Sequence, residues 1–148
     1  MNQGKLTVIV GLPGAGKSTL VKAMRSSVSG LCCEDFHANA IHDSPLVENS
    51  RHYNALLEDS RTGRDCVIAD IAFCDPQRRA NLQQVIDRQT SNCRIEWIYF
   101  ENAPDKCRCN IERRARERLR DDLDALEKFQ RLYRIPDGVT PIPVCEGL

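Results

Sequence analysis

Residues 11–18 read Gly11-Leu12-Pro13-Gly14-Ala15-Gly16-Lys17-Ser18. No other stretch of the chain limits the fold so tightly. Glycines at 11, 14 and 16 let a backbone curl until successive N–H groups point at a common centre, which is how main chain alone surrounds an anion. Leu6-Thr7-Val8-Ile9-Val10, just before, is a nearly continuous apolar run, as expected of a strand buried on both faces. Leu20, Val21 and Met24, just after, have helical spacing. A strand–loop–helix order aims the unpaired N–H groups and positive end of the helix at the same anion. The spacing G-x-x-x-x-G-K-[ST] then gives Lys17 to β- and γ-phosphates and the Ser18 hydroxyl to Mg2+. Gly11, Gly14, Ala15, Gly16, Lys17, Ser18 and Thr19 are the expected nucleotide-binding residues.

Short β-rich runs alternate with helical stretches along the chain. The expected strands are 6–10, 31–33, 66–69 and 95–100. Helices are expected over 18–27, 46–61, 76–90, from about 104, and 123–133. Asp75-Pro76 reads as an N-cap followed by proline at the first helical position. Pro141-Ile142-Pro143-Val144 can form only a short edge strand, since proline has no ladder donor. Alternation of this kind means right-handed βαβ units and a parallel sheet covered on both faces. Its 148 residues make one domain, 1–148, and are enough for a sizeable core without disulfides or metal.

Lys and Arg total 21, as do Asp and Glu, so the net charge is zero. Neutrality argues against a protein that coats nucleic acid through bulk charge, but leaves room for a local basic site. No apolar run approaches the ~20 residues that span a bilayer. Cleaving a signal peptide here would destroy the glycine loop, so a cytoplasmic location is expected. The eight cysteines contain no C-x-x-C pair, and reduced thiols serving as small core residues are expected. His37, His42 and His52 lack metal-site spacing and read as solvated side chains.

Asp70 closes the strand Val67-Ile68-Ala69. At the carboxyl edge of the sheet, beside the phosphate loop, its carboxylate can orient a Mg2+-bound water or take a substrate proton. The bland alternative is an aspartate capping the next turn. Ile71 follows where ATP-hydrolysing motors place a glutamate, which favours transfer to a bound acceptor over hydrolysis. Between Lys106 and Arg120, seven basic residues face two acidic ones, a balance of +5. Arginine dominates, and its planar guanidinium suits phosphate. Arg113 shares a helical face with Arg116 or Arg120. Asn102-Ala103-Pro104-Asp105 lacks the lysine of a guanine-reading motif and reads as a helix cap.

The glycine loop with Thr19-Leu20, the aspartate closing the next strand and the arginine-rich stretch together resemble the small P-loop kinases of the adenylate-kinase-like group. That group includes polynucleotide 5′-kinase domains, chloramphenicol-phosphotransferase-like proteins and zeta-toxin-like kinases. The resemblance implies a three-layer α/β P-loop NTPase fold. Its parallel sheet would have five strands in the order 2-3-1-4-5, with a short arginine-rich helical lid at about 106–122. It implies ATP with Mg2+, held through Ser18 and Asp70, and transfer of the γ-phosphoryl group to a hydroxyl or phosphate of a small molecule or nucleotide. A nucleic-acid end enters only as a substrate, in the alternative of a 5′-hydroxyl kinase. An ATP-binding switch without transfer is the alternative from another class. In such kinases an acidic residue at the place of Asp35 binds the acceptor hydroxyl as general base, with Glu34 next to it. Lid arginines, here Arg113, Arg116 and Arg120, stabilise the transferring group. An Arg-Asn pair often opens that segment, where this chain has Cys109-Asn110. The loop 134–138 is where the fold holds adenine.

Overall fold

A computed structural model describes residues 4–27, 32–35, 62, 65–89, 93–114 and 117–145. The helix expected over 46–61, the three histidines and Arg116 lie outside these residues. The elements run β1 (Gly4–Val10), α1 (Lys17–Ser27), β2 (Cys32–Asp35), β3 (Cys66–Ala69), a 3-10 turn (Ile71–Cys74), α2 (Pro76–Gln89), β4 (Cys93–Tyr99), α3 (Pro104–Arg114) and α4 (Leu119–Leu132).

The four strands form one parallel sheet in the order β2-β3-β1-β4. β1 is central, and its composition explains why. Leu6, Val8 and Val10 on one face, and Thr7 and Ile9 on the other, are all essentially inaccessible to solvent. Only a strand covered on both sides can carry such a run. β4 alternates instead: Arg94 and Glu96 reach solvent while Ile95 and Trp97 are half-buried.

The expected fifth strand is reduced to a single parallel bridge. Ile142 takes the outer side of β4, opposite Phe100; its N–H donates to the Tyr99 carbonyl and its own carbonyl accepts from Glu101, both at 2.8 Å. Pro141 and Pro143 flank it, and neither has an N–H to extend the ladder. The order 2-3-1-4 therefore matches expectation, and position five is one residue wide.

Each helix buries a stripe set by its sequence. α1 turns Val21 inward with Leu20 and Met24 against the core, α2 buries Leu82, Val85 and Ile86, and α3 buries Cys107, Asn110 and Ile111. α4 begins four residues before the expected Leu123; it buries Leu126 and Phe129, continued by Tyr133 beyond its end. α2 starts as its cap requires, with the Gln77 N–H donating to Asp75 Oδ1 at 2.9 Å. Cys66, Cys74, Cys93 and Cys107 are buried among these apolar residues. Among the described residues no helix is long and apolar enough to cross a membrane.

Candidate functional site

The glycine loop lies between β1 and α1 at the carboxyl end of the central strand. Gly14 and Gly16 have φ of +83° and +110°, in the region that side chains avoid. Gly14 also has no space beside it. A Cβ there would stand 2.6 Å from the Cys107 carbonyl oxygen and 3.0 Å from Ile111 Cγ1. α3 is thus the wall behind the loop. The Ala15 N–H donates to the Leu12 carbonyl across the loop at 3.1 Å.

Lys17 opens α1 and is buried. Its Nζ donates to the carbonyls of Gly11 and Leu12, each at 2.8 Å. The ammonium therefore lies back over the loop that it follows, inside the curl rather than in solvent. Ser18 is half-buried and Thr19 is exposed.

Asp70 is fully buried at the end of β3. Its Oδ1 accepts from the Ala72 N–H at 2.9 Å and so caps the 3-10 turn. The capping reading of Asp70 is realised, and the same carboxylate sits on the sheet edge that carries the loop. The turn folds Cys74 beneath it, within electrostatic range of Lys17, Arg79 and Asp70. Burial pushes the Cys74 thiol up to about 12 and the Cys107 thiol up to about 11; the nearby Lys17 ammonium opposes both shifts.

Asp35 ends β2, in register with Ala69, which itself pairs with Ile9 of β1. Two strand spacings, roughly 10 Å, separate the β2 and β1 backbones there. Asp35, Asp70 and the loop consequently share one edge of the sheet.

The arginine segment is two helices, not one. α3 ends at Arg114 and α4 starts at Leu119, with Arg118 at its N-cap. Arg113, Arg118 and Arg120 are exposed. The buried stripe of α3 faces the loop, so the solvent-exposed arginines follow directly on the loop's rear wall. The 134–138 loop is exposed except for half-buried Ile135, and Gly138 adopts φ +84° with open space around it.

Four supports escaped the sequence reading. Arg79 donates to the carbonyls of Phe73 at 2.7 Å and Cys74 at 3.3 Å, and also to that of Arg134, while its guanidinium lies 5.3 Å from the Tyr99 ring centre. Tyr133 donates its hydroxyl to the Phe100 carbonyl, and burial shifts that hydroxyl strongly upward. Glu101 Oε1 accepts from Lys106 at 3.0 Å and from the Val144 N–H at 3.1 Å; the Lys106 bond is the main reason its carboxyl titrates lower than usual. Asn110 donates to the carbonyls of Gly14 and Cys145. Arg79 sits on the apolar stripe of α2, three residues before Leu82, and Asn110 three after Cys107. A polar residue in such a stripe is the one sequence signal that marks them.

A strand, a glycine loop with two left-handed glycines, a buried helix-opening lysine and a parallel 2-3-1-4 sheet define a nucleotide-binding P-loop fold of the small kinase-like type. The chain belongs to a family described as an AAA domain, whose sequence model matches residues 6–136. Solved structures agree on the fold. The chain is similar to one in the structure of the Pnkp1/Rnl/Hen1 RNA repair complex, with TM-score 0.58, 14% identity and 95% of this chain covered. It spans half the length of that chain. It is also similar to the crystal structure of APE1195, with TM-score 0.61, 17% identity, and coverage of 99% of this chain and 87% of the other. No curated protein sequence matches it.

Proposed function

We propose that the protein is an ATP-dependent phosphotransferase that moves the γ-phosphoryl group to a hydroxyl or phosphate acceptor on a small molecule or nucleotide. One observation carries this reading: the loop from Gly11 to Lys17 is shaped by two left-handed glycines and closed by the Lys17 ammonium on the Gly11 and Leu12 carbonyls. A loop so preformed offers main-chain N–H groups and a cation to one anion.

In the proposed reaction ATP lies on Gly11, Gly14, Ala15, Gly16, Lys17, Ser18 and Thr19. Lys17 exchanges loop carbonyls for phosphate oxygens. The Ser18 hydroxyl and the Asp70 carboxylate are hard oxygen donors beside the loop, a set that suits Mg2+. When bound, that ion neutralises charge on the phosphate oxygens. An acceptor oxygen forms a bond to the γ-phosphorus as the bond from that phosphorus to the β-bridging oxygen breaks, and the acceptor proton passes to the Asp35 carboxylate. Arg113, Arg116 and Arg120 stabilise charge on the phosphoryl group in flight. Alignment by binding supplies much of the acceleration.

Lys17→Ala should lower phosphoryl transfer by roughly 100-fold or more, the usual cost of losing one transition-state donor, with the fold retained by circular dichroism. ATP turnover at the wild-type rate would overturn the reading. Because one structural neighbour comes from an RNA repair complex, the acceptor panel should include 5′-hydroxyl RNA and DNA ends beside nucleotides and small alcohols. A steep salt dependence of binding to a short single strand would favour the nucleic-acid end.

A further inference from the structure

Asn110 is only 2% exposed and sits at the middle of α3's buried stripe. Its Nδ2 donates to the Gly14 carbonyl at 2.8 Å and to the Cys145 carbonyl. Both neighbours are acceptors, so the carboxamide has one workable orientation and both of its N–H groups are used. The Cys145 N–H returns to the loop, donating to the Ala15 carbonyl at 3.2 Å. One residue earlier, the Val144 N–H is held by Glu101. Loop, α3 and C-terminal segment close on one another through these bonds.

Planarity turns this ring into a statement about phosphate binding. In a trans peptide the carbonyl of one residue and the N–H of the next point opposite ways. With the Gly14 carbonyl held on α3, the Ala15 N–H must face across the loop, where it meets the Leu12 carbonyl. With the Ala15 carbonyl held on Cys145, the Gly16 N–H must face away from the C-terminal segment. Two consecutive peptide planes of the loop are set from behind. We propose that Asn110 is a positioning residue for phosphate binding: by fixing Gly14 directly, so that the Ala15 N–H closes the loop on Leu12, and Ala15 through Cys145, so that the Gly16 N–H is presented to the anion, it sets the shape of the loop without touching the nucleotide. The proposal rests on the nucleotide-binding reading above. It also makes the helix that ends in Arg113 and Arg114 the same body that shapes the loop.

The test is calorimetric titration of ATP into wild type, Asn110→Ala and Asn110→Asp, with the thermal midpoint of each measured in the same buffer. Asn110→Asp keeps the shape, removes both donors and sets a carboxylate against two carbonyls. The expected result is a Kd for ATP raised about tenfold in Asn110→Ala, the size of one lost hydrogen bond, and more in Asn110→Asp. Each folded chain should still bind one ATP. A residue that merely holds the fold would lower the thermal midpoint and the bound fraction but leave Kd alone, so a Kd within twofold of wild type in both variants overturns the proposal. Should Asn110→Asp not fold, Cys145→Pro removes the Ala15 donor while leaving loop and α3 intact, and the same rise in Kd is expected. Wild type that binds no ATP refutes the nucleotide reading itself, an outcome distinct from wild type that binds while the variants bind equally well.

Discussion

At the scale of single residues, Gly14 carries the sharpest constraint. Its φ of +83° alone would cost an L-residue about 1–2 kcal/mol. A Cβ would in addition meet main chain of α3, which cannot swing aside like a side-chain tip. Gly14→Ala should therefore weaken ATP affinity about tenfold or more and lower stability together, read by titration and by urea unfolding. Gly138, also left-handed, has nothing within 4 Å of a built Cβ. Both glycines look alike in the sequence; only the first is wedged against a neighbouring helix. Asp70 makes a similar point: its strand-end position and a capping role were both legible, whereas the 3-10 form of the turn that it caps is announced by no periodicity.

At the scale of elements, one buried cation organises three of them. Arg79 belongs to α2, yet its donors satisfy carbonyls of the 3-10 turn and of the chain leaving α4. It thereby ties the segment below Asp70 to the end of the last helix. Arg79→Met keeps the stem and strips the donors, leaving buried carbonyls without these bonds. The expected loss is about 2–4 kcal/mol, seen as a lower urea midpoint with an unchanged slope. The expected lid, about 106–122, is split between α3 and the start of α4, whose beginning at Leu119 precedes the expected Leu123. The apolar stripe of α3 explains the difference, since a helix that buries Cys107, Asn110 and Ile111 is anchored there and only its exposed side and end project arginines.

At the scale of the whole molecule, buried thiols set a pH limit. Cys74 keeps its proton up to about 12 when folded, against an ordinary value of 9.0. Above pH 9 the unfolded chain releases a proton that the folded chain retains, so stability must fall as pH rises. The slope from this thiol starts at about half of 1.4 kcal/mol per pH unit at pH 9 and approaches that value between pH 10 and 11. Urea midpoints should decline across that range and decline less in Cys74→Ala. Tyr133, whose hydroxyl is also shifted upward by burial, adds to the same trend.

The sequence alone determined the loop and the parallel alternation, because these follow from local rules: glycine freedom, apolar run length, proline at helix starts and at a sheet edge. The order of strands was implied only by the family resemblance, and the fold realises it as 2-3-1-4. It also marked Asp35 and Asp70 as strand-end acids. Tertiary structure alone decided what stands behind the loop. Asn110, Arg79, Tyr133 and Glu101 act on carbonyls or N–H groups that lie 33 to 123 residues away in the case of Asn110, Arg79 toward Arg134, Tyr133 and Glu101 toward Val144. Main-chain carbonyls are the same at every position, so a sequence cannot say which of them a buried donor will meet. Folding brings them within hydrogen-bond distance, and that proximity gives the loop its rigid rear wall.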